Sequence, residues 1–95
     1  MNNEVYNRLK ALKPKLEKDY HLKRLRLFGS HARDDFKPDS DVDLIVEFSR
    51  RITYFDLAGM KLEIEDYLGK EVDFVFEHKI FPELRESILE DAMDV

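Results

Sequence analysis

The chain predicts an α+β fold: a small mixed β-sheet with helices packed on one face. Three observations carry that prediction. Stretches 23–28, 41–48 and 71–77 alternate with period two, as strands do. Each has one apolar face and one face bearing charge. Around them, apolar residues recur at helical spacing. If the apolar faces join under the helices, the charged faces emerge together on the other side. That is a layered sheet with an open acidic face, not a doubly wound one.

Each element has its own justification. Val5, Leu9, Leu12 and Leu16 form a stripe that makes 3–19 an amphipathic helix, which Pro14 is expected to kink or shorten. In the first strand Leu25 and Leu27 share one face, while Arg24, Arg26 and Phe28 share the other. Ser30 to Asp34 reads as a short helix with Ser30 able to cap it, and 35–40, with Lys37-Pro38-Asp39, as a loop. In the second strand Val42, Leu44, Val46 and Phe48 oppose Asp41, Asp43, Ile45 and Glu47. Thr53 is the expected N-cap of a helix striped by Leu57, Met60, Ile64 and Leu68, with Gly69 ending it. In the third strand Val72, Phe74 and Phe76 oppose Glu71, Asp73, Val75 and Glu77. A last helix starts near Phe81-Pro82, striped by Leu84, Ile88 and Ala92.

Composition narrows the function classes. The 95 residues fit a single domain, 1–95, with an apolar fraction of 43% that suits a folded chain. There is no cysteine, so neither a disulfide frame nor a thiolate zinc site is available. No signal peptide or membrane-length apolar run is visible, so a cytoplasmic protein without a membrane role is expected. The net charge of −5 argues against direct nucleic-acid binding.

The chemistry concentrates in one stretch, Leu27-Phe28-Gly29-Ser30-His31-Ala32-Arg33, followed by Ser40-Asp41-Val42-Asp43. A strand running into Gly-Ser and a helix start offers free N–H groups to a phosphate, and Gly29 lets the backbone approach closely. Asp41 and Asp43, two apart on a strand, project from one face. Two carboxylates about 4 Å apart at an effective dielectric of about 20 repel by about 4 kcal/mol. A fold gains nothing from that arrangement unless a cation lies between them, and the hard cation that also holds phosphates is Mg²⁺. Taken singly, Gly-Ser is an ordinary turn and Asp-x-Asp an ordinary strand edge. Their conjunction at this spacing points to a phosphate cradle beside a divalent metal site. His21, His31 and His78 share no ligand spacing, and Arg24 and Arg26 read as balancing the charge of the acidic face.

The pattern resembles the GSxAR…SDxD signature of the polymerase-β-like nucleotidyltransferases, most closely the minimal nucleotidyltransferase (MNT) branch. Glu71-Val72-Asp73-Phe74-Val75 is similar to that family's third-carboxylate strand, so the likeness spans nearly the whole chain. It implies the polymerase-β-like fold and AMP transfer from ATP. Gly29, Ser30, Arg33 and Ser40 would form the nucleotide-binding set, and Asp41, Asp43 and Asp73 the catalytic and metal-binding set, with two Mg²⁺ ions. For Arg33 an ion pair within the chain competes with a phosphate contact, and Ser40 is expected to orient the turn before Asp41. MNT proteins commonly pair with a HEPN-domain ribonuclease toxin and adenylylate one of its tyrosines, so the resemblance also implies a hetero-oligomer in which this chain is the antitoxin. Two alternatives stand beside that expectation: an antitoxin acting by contact alone, and a nucleotidyltransferase acting on a small molecule or RNA.

Overall fold

A computed structural model describes residues 3–95; of the single domain expected over 1–95, only residues 1 and 2 lie outside it. The chain runs α1 (Glu4–Tyr20), β1 (Leu22–Phe28), α2 (Ser30–Arg33), β2 (Val42–Phe48), α3 (Tyr54–Leu68), β3 (Val72–Val75), a 3₁₀ turn (Glu77–Lys79), α4 (Pro82–Asp91) and β4 (Met93–Asp94). The sheet order is β3-β2-β1-β4. The β1–β2 and β1–β4 pairs are antiparallel, and β2–β3 is parallel, so the sheet is mixed as predicted.

One sheet face makes the core. Leu25, Leu27, Val42, Leu44, Val46 and Val72 are buried there against Val5, Leu9, Leu12 and Leu16 of α1 and Met60, Ile64 and Leu68 of α3. Full burial of each such side chain contributes about 1.5–3 kcal/mol. The stripes read from the sequence for α1 and α3 are therefore the faces those helices bury, whereas the stripe read for the last helix is not: α4 buries no residue fully, Leu84 is exposed and Ala92 lies just past the helix end. Pro14 does not end α1, which continues to Tyr20. Asn3 caps its start, its side chain accepting from the Tyr6 N–H. Thr53 caps α3 in the same way through the Asp56 N–H, and Gly69 ends it in the left-handed region at φ 68°.

The other sheet face carries the acids, and its register forms rows. Phe28 lies opposite Asp43, which lies opposite Asp73; Arg26 lies opposite Ile45, which lies opposite Val75. This face is less open than the alternation suggests. Ile45 is buried, and so is Arg26, whose guanidinium meets Glu77 at 3.0 Å.

Three differences from expectation bear on the sheet near the site and its edge. The third strand stops at Val75, because Phe76 leads into the 3₁₀ turn rather than continuing the ladder to Glu77. The second strand starts at Val42, leaving Asp41 just before it. Beyond the last helix, Met93–Asp94 adds a short edge strand to β1, held by the Arg24–Asp94 ion pair at 2.8 Å.

Candidate active site

The site forms where β1 ends and β2 and β3 begin. Gly29 follows β1 directly and takes φ 75°, ψ −153°, a conformation that L side chains rarely adopt. A Cβ placed on it would collide with the Asp43 carboxylate. Glycine is thus required twice, by backbone angle and by the approach of that acid. Its carbonyl opens α2, accepting from the N–H groups of Ala32 at 3.1 Å and Arg33 at 3.0 Å.

Ser30 does not cap α2: the N-cap is Gly29, with no side-chain bond. Ser30 is the first helical residue, so its hydroxyl is not engaged as a cap. With only four residues, α2 offers first-turn N–H groups rather than a long helix dipole.

Asp43 is the half-buried centre of the acids, and Asp73, its partner in the β2–β3 register, is exposed, as is Asp41. Burial holds the Asp43 carboxyl above its ordinary range; Asp73 and then Asp41 push the same way, against weaker pulls from His31 and Arg33. Both other acids read from the sequence thus act on Asp43.

Arg33 is engaged within the chain, its guanidinium 3.1 Å from both Asp35 and Asp91. The Ser40 hydroxyl accepts from the Lys37 N–H at 2.8 Å, which closes the turn leading to Asp41. Arg26 balances charge on the acidic face through Glu77 as expected, whereas Arg24 pairs with Asp94 of the edge strand β4 rather than with an acid of that face. A hollow of about 320 Å³ beside Asp41 reaches from Ser40 to Lys70 and Glu71. A cleft of about 520 Å³ opens at the far end of β2, between Phe48, Arg51 and Phe76, and contains none of the three acids.

Two residues at this site escaped the sequence reading. Asn3 is buried, and its amide donates to the His31 carbonyl at 2.7 Å while its oxygen caps α1. A polar residue before an apolar stripe was the available signal. His31 is completely buried, stacked on Phe36 at 4.4 Å and bonded through Nε2 to the Ser40 carbonyl at 3.1 Å. No spacing in the sequence announces those contacts.

Among the described residues, no three His, Cys, Asp or Glu side chains are grouped closely enough to hold a metal ion by themselves. The expected trio is thus not a closed protein cage. The donors do fit a hard cation shared with a ligand. All three are carboxylates, Asp43 lies opposite Asp73 in register, and the bare Gly29 lets the Asp43 carboxylate lie directly against the turn that would receive the phosphates. Mg²⁺ favours such sites, taking one or two carboxylates and completing its shell with phosphate and water oxygens.

This fold is that of a nucleotidyltransferase, and the chain belongs to the family: the "Nucleotidyltransferase domain" model matches residues 9–95. The chain is 45% identical over 74 residues to MJ0435 of Methanocaldococcus jannaschii, described as a candidate protein adenylyltransferase, covering 78% of this chain and 80% of that one. It is 27% identical over 92 residues to the protein adenylyltransferase MntA of Thermococcus cleftensis, covering 97% and 93%. A solved structure described as a candidate minimal nucleotidyltransferase superposes with a TM-score of 0.81 at 38% identity, over 100% of this chain and 97% of that one. Two more distant structures share the fold. One is a toxin–antitoxin complex with AMP-PNP, TM-score 0.71 at 19% identity, covering 93% of this chain and 69% of that one. The other is a tri-AMPylated HEPN toxin of Shewanella oneidensis with its MNT antitoxin, TM-score 0.66 at 15% identity, covering 95% and 70%.

Proposed function

We propose that this protein transfers AMP from ATP to a hydroxyl of a partner protein, a tyrosine of a HEPN-domain ribonuclease toxin, and acts as that toxin's antitoxin. The observation that carries the reading is the placement of Gly29 against Asp43, with Asp73 next to Asp43 in register. Relatives described as protein adenylyltransferases support it, as do fold neighbours found in toxin–antitoxin complexes.

The residues divide the work. The Gly29 and Ser30 backbone receives the β- and γ-phosphates, and the bare Cα of Gly29 lets the Asp43 carboxylate sit directly beside them. Asp41 and Asp43, with help from Asp73, would hold two Mg²⁺ ions. When bound, these supply charge stabilisation at the α-phosphorus and lower the pKa of the incoming hydroxyl. Asp73, exposed on the neighbouring strand, orients that hydroxyl and takes its proton. The oxygen of the acceptor attacks the α-phosphorus in line, the bond to the bridging oxygen breaks, and pyrophosphate leaves.

Labelled ATP tests the reaction class. A co-encoded HEPN-domain protein incubated with this chain and Mg²⁺ gains label from α-labelled ATP and none from γ-labelled ATP. Label from the γ position would mean phosphoryl transfer and overturn the proposal, and label from neither would favour an antitoxin acting by contact alone.

A further inference from the structure

We infer that His31 is a positioning residue that sets the distance between the phosphate cradle and the first metal-binding acid; the inference rests on the nucleotidyl-transfer reading above. The cradle lies at Gly29–Ser30 and the acid at Asp41, with an exposed loop, 34–39, between them. That loop is tied early by the Asp35 N–H to the Ser30 carbonyl at 3.1 Å and midway by Lys70 Nζ to the Pro38 carbonyl at 3.1 Å, neither of which reaches Ser40 or Asp41. Its end is closed on itself by the Ser40 N–H to the Lys37 carbonyl at 3.0 Å and by the Lys37 N–H to the Ser40 hydroxyl. The next tie beyond Asp41 is the Val42 N–H to the Glu71 carbonyl at 2.9 Å.

His31 joins this closed turn to the cradle helix. It is the second residue of α2, and its Nε2 meets the carbonyl of Ser40, the residue before Asp41, at 3.1 Å. A carbonyl only accepts, so Nε2 carries the proton and donates. The ring is held by Phe36, stacked 20° from parallel, and the His31 carbonyl is held by Asn3. Asp41 is therefore fixed on one side through His31 to the cradle and on the other through Val42 to β3.

The orphaned second nitrogen separates this role from packing. Nδ1 is buried and has no hydrogen-bond partner. A buried acceptor left without a donor costs stability, a cost that phenylalanine or leucine in the same space would avoid. What histidine offers in exchange is the Nε2–H held against the Ser40 carbonyl. Groups that orient a metal-binding carboxylate without touching the metal typically change metal affinity by about 10–100-fold.

The test is calorimetric titration of a non-hydrolysable ATP analogue, with Mg²⁺ and with EDTA, for the parent, His31→Phe and His31→Gln. Glutamine carries an amide N–H to about the place of Nε2. His31→Phe is expected to match the parent in EDTA and to lose about 10–100-fold affinity in Mg²⁺. His31→Gln is expected to recover most of that loss. Phe36→Ala, at a partly exposed position, frees the imidazole plane and gives a smaller loss of the same kind should His31→Phe fail to fold. Folded His31→Phe or Phe36→Ala variants with the parent's Mg²⁺-dependent affinity would overturn the inference. So would equal losses in Mg²⁺ for the Phe and Gln variants, which would mark a packing role. A parent that binds no analogue in either condition would overturn the nucleotidyl-transfer reading itself, whereas parental binding with an indifferent His31 overturns this inference alone.

Discussion

The Cα of Gly29 faces the carboxylate of Asp43 so closely that a single methyl group at residue 29 would occupy the acid's oxygen. The turn after β1 and the central acid of β2 are thus one unit. Gly29→Ala is expected to destabilise the protein by more than about 1 kcal/mol, because the positive φ is incompatible with a side chain. It should also lower ATP–Mg²⁺ affinity by tenfold or more by displacing Asp43. Thermal melting and calorimetric titration read the two effects; an alanine variant that binds as the parent does would show that the turn does not face the phosphates.

The acids are expected to separate by role. Asp41→Asn and Asp43→Asn each remove a charged ligand, so nucleotide binding and transfer should fall together. Asp73→Asn should keep much of the binding while transfer drops by about 10²–10⁴-fold, the scale of a lost general base. Parental transfer by Asp73→Asn would remove its role in deprotonation.

Asp43 also predicts a pH effect on the metal-free protein. Its folded pKa is raised, chiefly by burial and then by Asp73, so the folded state binds the proton more tightly than the unfolded chain. Stability is therefore lost as pH climbs from the ordinary 3.8 through the raised value, and is not regained at neutral pH. Asp43→Asn should melt above the parent at pH 7 without metal. Equal melting temperatures would mean that the fold does not disfavour the ionised Asp43 carboxylate.

Glu77 works in the opposite direction. Its hydrogen bond to Arg26 holds its carboxyl below the usual range, with Arg85 assisting. Its contribution is complete above 4.5, the unfolded value, and is lost as pH falls through the depressed folded value. Glu77→Gln should flatten that acid-side loss. At neutral pH it should cost more than the 0–1 kcal/mol of an exposed pair, because Arg26 is only 6% exposed and would be left without its anion. Urea unfolding from pH 3 to 7 measures both effects.

Much of this molecule was legible in the sequence because period-two alternation is a local property. Asp43 and Asp73 could each be placed on a charged strand face from their neighbours alone. That they are partners in register is set by the parallel β2–β3 pairing, which alternation does not give; the resemblance implied only that these acids come together. Met93–Asp94 was unreadable as a strand: two residues have no period, and their place depends on β1 and on Arg24 far away in the chain. Ile45 and Arg26 sit where alternation expects solvent, yet tertiary contacts cover them. His31 is similar, since its partners Asn3, Phe36 and Ser40 come from three segments.

Asn3 joins two such segments, capping α1 and holding the His31 carbonyl. Asn3→Ala is expected to cost about 1–2 kcal/mol, the loss of a cap and of a buried bond. For a domain of this size that is a fall in Tm of about 4–8 °C per kcal/mol. A variant melting with the parent would show that neither bond contributes.

The central claim is AMP transfer to a partner protein, and intact mass measures it most directly. A co-encoded HEPN-domain protein is incubated with ATP and Mg²⁺ beside the parent chain or its Asp43→Asn variant. The account predicts a partner heavier by whole adenylate units with the parent and unchanged with Asp43→Asn. A partner that binds the parent stably, stays at its original mass and is nevertheless neutralised would contradict it.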